Sequence, residues 1–246
     1  MQLVLDIGNT LMKSYVFDQD QQIDSLIVTP ATPANWQASL SEMMQRNPSI
    51  TKAIIADVNQ SFSRELEALL GKIPTIHCST KLKLPFTTQY DSNTPLGSDR
   101  IALLAACSLM YPHTNVLAID LGSCITYDLL DEAAVHHGGS ISPGFGMRYR
   151  AMHSFSGTLP ALDYQLPKTL QGKSTEQAMH AGVFFGIQHE VEGMIHRYRE
   201  EFQNLTVILT GGDAERLPKP FKNGIFAHSN FLAKGLNHIL ALNTSS

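Results

Sequence analysis

The sequence predicts an α/β protein that consists of two similar halves. Apolar runs of strand length alternate with stretches of helical periodicity along the whole chain. In addition, one strand-turn-strand unit occurs twice, with an acid and a glycine at matching places in both copies, as expected of an internal duplication. The 246 residues, 43% of them hydrophobic, are enough for two small domains.

The first half opens with an apolar run that is rich in β-branched residues. This run ends at a Gly-Asn pair, which predicts a strand, a tight turn and a returning strand. A later helix, rich in Ala and Leu, is expected to stop at Pro112. In order, the predicted elements are strands at residues 2–7, 11–17 and 52–58 and helices at residues 61–70 and 99–111.

The second half repeats the opening pattern. Laying residues 5–10 over residues 119–124 aligns both acids and both glycines, with the returning strands expected at the same offset. We place the boundary near Pro112, which gives halves of residues 1–112 and 113–246, and expect them to pack closely because no flexible linker marks it. The predicted elements are strands at residues 115–120, 124–130, 135–142 and 205–210 and helices at residues 175–202 and 231–242.

Composition and charge exclude several classes of function. The formal charge of −4, from 18 basic and 22 acidic residues, lacks the basic surplus of nucleic-acid-binding proteins. Cys78, Cys107 and Cys124 are widely spaced, which favours reduced thiols over a disulfide framework or a zinc knuckle. The N-terminal run lacks the basic start of a signal peptide, and no segment has the length of a membrane-spanning helix. We therefore expect a cytoplasmic protein without nucleic-acid or membrane partners.

The turn that begins at Asp6 is a candidate phosphate-binding loop. Gly8 allows the backbone to approach a polyphosphate, and the turn amides and the side chains of Asn9 and Thr10 can donate hydrogen bonds. The Asp6 carboxylate can hold a metal-bound phosphate, and Lys13 adds positive charge. The alternative is an ordinary hairpin turn, in which Gly-Asn pairs are common.

The second copy of this turn, at Asp120, favours phosphate binding over the structural alternative. A structural duplication needs only the hydrophobic strands, whereas an acid and a glycine in both copies suit a clamp for a triphosphate and a cation. A third element is the apolar strand that leads into Gly211-Gly212. Its backbone can support adenine or ribose, and a plain strand-to-helix turn explains it nearly as well.

We assign no function to two other sequence patterns. Residues 172–175, Gly-Lys-Ser-Thr, look like the end of a P-loop, but Pro167 stands where that motif needs glycine. His136 and His137 have neither metal-ligand spacing nor a nearby Cys or Glu partner. We expect these two histidines on a solvated or interface strand.

Several short motifs together resemble those of type III pantothenate kinases. Each motif is modestly specific, but the order and spacing match along nearly the whole chain. The matching segments are Asp6-Ile7-Gly8-Asn9-Thr10, Gly97-Ser98-Asp99-Arg100, Asp120-Leu121-Gly122-Ser123, residues 138–144, Ser174-Thr175 and Thr210-Gly211-Gly212.

The resemblance implies the duplicated actin-like (ribonuclease H-like) fold, with two mixed-sheet domains, flanking helices and a cleft between them. It implies ATP-dependent phosphorylation of pantothenate to 4'-phosphopantothenate, the first step of coenzyme A synthesis, by a homodimer. The implied cofactors are Mg²⁺ with ATP and a monovalent cation, K⁺ or NH₄⁺.

The resemblance also implies roles for individual residues. Asp99 is implied as the catalytic base, Asp120 as the ligand of the monovalent cation and Ser123 as an ATP contact. The implied ATP-binding segment is Asp6, Ile7, Gly8, Asn9, Thr10, Leu11, Met12 and Lys13. The implied pantothenate contacts are Tyr90, Gly97, Ser98, Asp99, Arg100 and Thr175.

Some positions depart from the family pattern or allow a second interpretation of their role. Ser123 stands where threonine is usual, which keeps the hydroxyl and loses a methyl group. The family often carries Asn-Pro soon after the tyrosine, so either Ser92 or Asn93 supplies that contact here. Asp99 can also serve as a helix N-cap, because aspartate is favoured at that position.

Two other functions remain open: a different kinase or a phosphatase of the same fold, and a non-catalytic ATP-binding regulator. The motifs at residues 97–100 and 138–144 favour pantothenate kinase over the first, and the three acids Asp6, Asp99 and Asp120 favour it over the second. The long helix from about residue 175 and the histidine-rich strand are candidates for a dimer interface.

Overall fold

The computed structural model describes residues 1–8, 11–29, 33–57, 62–217, 224–226 and 230–244. Asn9 and Thr10, both expected in the first phosphate-binding turn, lie outside the described residues. The chain forms two compact units. The first comprises Met1–Pro112, Ala134–His136 and Asn230–Ser246, and the second comprises His113–Ala133 and His137–Ser229.

The described residues form strands and helices in alternation. None of these helices is long and apolar enough to cross a membrane. In chain order the elements are β1 (Gln2–Ile7), β2 (Met12–Asp18), β3 (Gln21–Val28), α1 (Pro33–Arg46), β4 (Lys52–Asp57), α2 (Ser63–Leu70), β5 (Thr75–His77), β6 (Thr87–Thr88), α3 (Ser98–Met110), β7 (Val116–Leu121), β8 (Cys124–Leu130), β9 (Val135–Pro143), α4 (Phe145–Ser156), α5 (Thr175–Glu201), β10 (Thr206–Thr210), a 3-10 turn (Ala214–Arg216), β11 (Gly224–Phe226) and α6 (Phe231–Thr244).

The first unit is built on a mixed sheet in the order β3-β2-β1-β4-β5, with β1 antiparallel to β2 and parallel to β4. Leu3, Leu5 and Ile7 of β1 join a buried cluster with side chains of α1 and α2. Because side chains alternate along a strand, Asp6 belongs to the opposite face, where α3 and α6 pack. The alternation therefore directs Asp6 away from the apolar cluster and toward the side of the sheet that carries α3.

The second unit contains the strands β11, β10, β7, β8 and β9, hydrogen-bonded in that order. Strand β7 is parallel to β10 and antiparallel to β8, so this sheet is also mixed. Its core combines Leu117 and Ile119 of β7 with Ile187 and Val191 of α5. The short strand β6 pairs in parallel with the start of β9, at residues that belong to the first unit.

The predicted elements occur close to their expected bounds. Strands β1 and β8 match the predictions at residues 2–7 and 124–130 at both ends. Val58 and Ser61, expected at the end of the third strand and the start of the first helix, lie outside the described residues. The sequence analysis missed the helices α1 and α4 and the strands β3, β5, β6 and β11. The apolar pattern of β3, for example, is diluted by two glutamines and one aspartate.

Two details of the duplicated organisation differ from the expectation. Asp6 pairs with Lys13 across the first hairpin and Asp120 with Thr126 across the second. The first turn is therefore one residue longer, and the returning strands do not follow at the same offset. The first segment of the first unit ends at Pro112. Helix α6, which was expected in the half 113–246, belongs to the first unit. It packs on α3 so closely that a Cβ at Gly235 would lie 2.1 Å from the Ala102 carbonyl oxygen.

Candidate functional site

The carboxyl ends of β1 and β4 lie side by side at one edge of the first sheet, where Ile7 pairs with Asp57. This is the edge at which open α/β sheets bind ligands. Asp6 precedes the edge by one residue and pairs with Lys13 of β2. Burial raises the pKa of Asp6 from 3.8 to about 6, with the Lys13 charge lowering it and the Asp99 charge raising it. A cation beside Asp6 would therefore favour its ionised form.

In the described part of the first hairpin turn, the groups that could contact a ligand are mainly backbone groups. The Gly8 N–H donates a hydrogen bond to the Leu11 carbonyl oxygen at 3.0 Å. Ile7 and Met12 direct their side chains into the core, so only their backbone atoms can contact a ligand. Among the described members of the predicted ATP-binding segment, those that keep exposed surface are Asp6, Gly8, Leu11 and Lys13.

The first turn of α3 carries Asp99. The helix begins at Ser98 with Gly97 as its N-cap residue, so the alternative interpretation of Asp99 as the N-cap is wrong. The Asp99 carboxylate accepts a hydrogen bond from the Arg100 N–H at 2.8 Å. A Cβ at Gly97 would lie 2.5 Å from Asp99 Oδ1, so glycine leaves room for this carboxylate. The helix N-terminus also favours its negative charge.

Asp6 and Asp99 share one acidic site within the first unit. Besides acting on each other, both act on Cys78, whose thiol donates to the Ser98 carbonyl oxygen at 3.7 Å. Burial, then the Asp99 charge and then the Asp6 charge raise the pKa of Cys78 to about 12. The Ser98 hydroxyl is buried and has no hydrogen-bond partner among the described residues. The end of β1 and the start of α3 thus combine two carboxyl groups with an unused hydroxyl.

Tyr90 and Arg100, both predicted as substrate contacts, lie against each other. Arg100 is buried, and its Nη1 donates to the Tyr90 hydroxyl at 3.4 Å. The guanidinium carbon lies 5.0 Å from the centroid of the Tyr90 ring, which is the range of a cation–π contact. Of the two alternatives after the tyrosine, Asn93 folds back on Asp91 through its backbone N–H at 2.9 Å and its side-chain amide at 3.1 Å. Ser92 is exposed.

His136 is the residue of this site that the sequence analysis missed. It was expected on a solvated or interface strand, and this prediction was wrong because its side chain is fully buried and stacks on Tyr90. The neighbouring His137 is exposed and pairs with Asp131 at 2.7 Å. Alternation along β9 would have indicated that only one of the two histidines faces solvent.

The second hairpin turn lies in the second unit, where two glycines pack on it. Gly144 donates its N–H to the Ser123 carbonyl oxygen at 3.1 Å, and a Cβ there would lie 2.3 Å from the Gly122 carbonyl oxygen. Gly211 has φ 98°, and a Cβ there would lie 2.4 Å from Asp120 Oδ1. Three glycine-containing segments that the sequence analysis singled out therefore meet around Asp120, while the Ser123 side chain stays exposed.

The segment after Gly211 is held against this turn by a backbone hydrogen bond. The Asp213 N–H donates to the Leu121 carbonyl oxygen at 3.0 Å, and Arg216 pairs with the Asp213 carboxylate at 3.2 Å. Burial raises the pKa of Asp213, and the Arg216 charge lowers it. The Arg216 guanidinium also lies over the Tyr164 ring, 4.4 Å from its centroid. Such stacked planar groups suit the base of a nucleotide.

Thr175 and the metal candidates complete the predicted set. Thr175 is the exposed first residue of α5, after the N-cap Ser174, whose hydroxyl accepts the Gln177 N–H at 3.3 Å. Thr175 belongs to the second unit, whereas Tyr90, Asp99 and Arg100 belong to the first. Within the described ranges, no group of three or more His, Cys, Asp and Glu residues is arranged to hold a metal ion.

Comparison with known proteins identifies relatives along almost the whole chain. Residues 2–197 match the family described as type III pantothenate kinase. A protein of Christiangramia forsetii named type III pantothenate kinase is 40% identical over 243 residues, covering 99% of each chain.

Solved structures with low sequence identity share the fold. A conserved Baf family protein from Campylobacter jejuni aligns with a TM-score of 0.62 and 23% identity over 96% of each chain. The activator of the 2-hydroxyisocaproyl-CoA dehydratase from Clostridium difficile, solved with bound ADPNP, aligns with a TM-score of 0.57 and 12% identity over 98% of this chain and 93% of that one. Together with the two mixed sheets and their flanking helices, these likenesses confirm the duplicated actin-like fold.

Proposed function

The chain belongs to the type III pantothenate kinase family, and from this premise we propose which of its residues carry out the reaction. As a member of this family it catalyses ATP-dependent phosphorylation of pantothenate to 4'-phosphopantothenate, in coenzyme A biosynthesis. One observation carries the assignment of residues: the predicted nucleotide-binding acid Asp6, near the end of β1, and the predicted base Asp99, in the first turn of α3, belong to the same unit, and the Asp99 charge contributes to the raised pKa of Asp6.

Asp99 is proposed as the base that activates the pantothenate hydroxyl. The hydroxyl oxygen attacks the γ-phosphorus of ATP, its proton passes to the Asp99 carboxylate, and ADP leaves with the electron pair of the broken P–O bond. Half-burial and the bond from the Arg100 N–H hold the carboxylate in a defined orientation. The buried hydroxyl of Ser98, which has no partner among the described residues, is available to a polar group of the substrate.

Pantothenate is proposed to bind at Tyr90, Gly97, Ser98, Asp99, Arg100 and Thr175. Arg100 supports this assignment because it places a positive charge, buried against Tyr90, next to Asp99 in sequence. Pantothenate carries a carboxylate, and guanidinium groups bind carboxylates through charge-assisted hydrogen bonds. Gly97 contributes space, because any side chain there would press on the Asp99 carboxylate.

ATP is proposed to bind through residues 6–13 and Ser123. Gly8 and Gly122 support this because each directly follows a buried strand and, having no side chain, lets the backbone come close to phosphate oxygens. Mg²⁺ at nucleotides is commonly held by one or two carboxylates together with the phosphates, so Asp6 fits it without a protein cage. When bound, the ion neutralises charge on the transferred phosphoryl group.

Chelation by EDTA should abolish turnover, and activity that persists would contradict a role for Mg²⁺.

A monovalent cation, K⁺ or NH₄⁺, is proposed to bind at Asp120. The Asp120 carboxylate and the Leu121 carbonyl both lie against Gly211, which brings two oxygen ligands close together. Oxygen atoms of this kind are the ligands that K⁺ prefers.

We also propose a homodimer in the cytoplasm. Large apolar side chains are exposed in the second unit, including Phe155 at 90%, Leu166 at 60% and Leu170 at 57%, and such surfaces commonly bind partners. The three cysteines are free thiols, as in reducing compartments. Sedimentation analysis that finds only monomer would contradict the dimer, and secretion of the native protein would contradict the location.

The function is tested by a coupled ADP-release assay of the purified protein with pantothenate, a panel of sugars and a panel of short acids. We expect turnover confined to pantothenate. Turnover of a sugar with pantothenate inactive would instead support a different kinase of the same fold, and ATP binding without any turnover would support a non-catalytic regulator.

A further inference from the structure

We propose that His136 is a positioning residue that holds Tyr90, and through it Arg100, in the arrangement that binds pantothenate. This inference rests on the proposed function, in which Tyr90 and Arg100 contact the substrate. His136 itself need not touch pantothenate. Its proposed effect is to fix the Tyr90 ring, on whose position the buried Arg100 guanidinium depends.

The His136 ring and the Tyr90 ring are stacked nearly parallel to each other. Their centroids are 6.2 Å apart and their planes are 20° from parallel. Phe86 meets the imidazole edge-on, with centroids 6.4 Å apart and planes at 84°. Offset-stacked and edge-on geometries are the favourable ones for aromatic pairs. Phe86 therefore fixes the imidazole, and the imidazole fixes the plane of Tyr90.

A hydrogen-bonded hydroxyl connects His136 to the backbone of Tyr90 as well. His136 Nδ1 and Thr88 Oγ1 are 2.8 Å apart. The same Thr88 Oγ1 accepts the Tyr90 N–H at 3.0 Å. The main chain reinforces this link, because Thr88 pairs with His136 between β6 and β9 and the Gln89 N–H donates to the His136 carbonyl oxygen at 2.9 Å. Both the backbone and the ring of Tyr90 are thus set by contacts with His136.

Tyr90 transmits this placement to Arg100. The guanidinium makes two contacts with the same side chain, one with the hydroxyl at 3.4 Å and one with the ring face at 5.0 Å. Rotation of the Tyr90 ring would change both at once. A buried cation depends on such contacts, because burial removes its solvating water. Loss of the His136 ring is therefore expected to loosen both Tyr90 and Arg100.

A purely structural role for His136 makes a different prediction. A core residue without influence on the site would lower the stability of the variants and leave their kinetic constants unchanged. A positioning residue for pantothenate raises KM for pantothenate, leaves KM for ATP unchanged and affects kcat little, because the transferred group is bound by other residues. The split between these constants distinguishes the two roles.

The test uses steady-state kinetics of the full-length protein and its variants His136→Ala, His136→Phe, His136→Asn and Thr88→Val. Loss of the two aromatic contacts, with Tyr90 and Phe86, and of one hydrogen bond in His136→Ala should raise KM for pantothenate about tenfold. His136→Phe keeps a ring and loses the bond to Thr88, whereas His136→Asn keeps a hydrogen-bonding group and loses the ring. Both should raise KM less than His136→Ala, and Thr88→Val should resemble His136→Phe.

His137→Ala is the matched control, because the adjacent histidine is exposed and contacts Asp131 rather than Tyr90. It should leave all kinetic constants unchanged. Thermal unfolding of every variant reports whether it folds. If His136→Ala does not fold, His136→Phe and Thr88→Val still test the proposal, because both nearly preserve side-chain volume. A wild-type KM for pantothenate in the folded variants would overturn the positioning role. A wild-type protein that does not phosphorylate pantothenate would overturn the proposed function instead.

Discussion

At the scale of single residues, the site combines two carboxyl groups with different surroundings. Asp6 lies at the end of a buried strand, and burial is the main cause of its raised pKa. Asp99 lies in the first turn of a helix and accepts a backbone N–H. A cation-binding acid and a proton-accepting base need such different local surroundings. The two residues therefore respond differently to the same substitution, from Asp to Asn.

Asp99→Asn is expected to lower turnover by at least ~100-fold, because the amide cannot accept the hydroxyl proton. Folding should be retained, since asparagine has nearly the same shape and its oxygen can still accept the Arg100 N–H. The measurement is kcat with pantothenate, alongside a far-ultraviolet circular dichroism melt. Near-normal turnover in the folded variant would remove Asp99 from the role of base.

Asp6→Asn is expected to stabilise the ligand-free protein at pH 8 while it weakens ATP binding. The folded pKa of about 6 lies above the unfolded value of 3.8, so the native fold favours the protonated form. The stability that Asp6 provides is present below pH 3.8 and is lost as the pH rises through about 6. Ionised Asp6 therefore destabilises the fold by about 3 kcal/mol at pH 8, and asparagine avoids this.

Denaturant unfolding of wild type and Asp6→Asn at pH 8 and pH 4, without ATP or Mg²⁺, measures this effect. The stability difference between the two proteins should be largest at pH 8 and nearly vanish at pH 4. Asp18→Asn, an exposed aspartate at the end of β2, is the control and should show no such dependence. An equal difference at both pH values would contradict the burial of an ionisable Asp6.

At the scale of elements, the second hairpin depends on a segment that α5 holds in place. Glu190 of α5 accepts hydrogen bonds from the Tyr127 hydroxyl at 2.9 Å and the Ser142 hydroxyl, and it pairs with Arg148. Burial acts to raise the pKa of Glu190, but these partners outweigh it and hold the pKa below its usual range. Ser142 lies two residues before Gly144, which contacts the hairpin directly.

Glu190→Gln is expected to lower the free energy of unfolding by about 2 kcal/mol at pH 7, because Arg148 loses its charged partner in a half-buried site. It should also raise KM for ATP, since the segment that carries Gly144 is loosened. Glu192→Gln, on the same helix but exposed, should change stability by less than about 0.5 kcal/mol. Urea unfolding and ATP kinetics measure both variants. Equal effects of the two substitutions would contradict an anchoring role for Glu190.

Elements with a strong apolar pattern were predictable from the sequence, and elements defined by tertiary contacts were not. Strands β1 and β8 are largely buried runs, so the local apolar pattern located both of their ends. Strand β3 alternates between exposed and half-buried residues. Its residue composition alone does not predict that it pairs with β2. His136 was misplaced for the same reason, because its burial depends on Phe86 and Tyr90 from a distant segment.

At the scale of the whole molecule, the duplication is visible in both the sequence and the fold. Each unit presents a strand with an acid one residue before its end, a glycine turn and an antiparallel returning strand. The matching acids made this repeat detectable. The extra residue of the first turn and the return of α6 to the first unit were not detectable, because both depend on pairing and packing between distant segments.

Activity is expected to require K⁺ or NH₄⁺ because of the cation proposed at Asp120. The measurement is turnover in buffers in which Na⁺ replaces both ions at constant ionic strength, followed by titration with K⁺. Asp120→Asn should lower activity and abolish the response to K⁺. A full rate with Na⁺ alone would contradict the cation site.

The most direct measurement of the central claim is a crystal structure of the protein with Mg²⁺ and a non-hydrolysable ATP analogue. We expect phosphate oxygens within about 3 Å of backbone amides in the first hairpin turn and of the Ser123 hydroxyl. Triphosphate density located away from both hairpin turns would contradict phosphate binding by the duplicated acid-and-glycine unit.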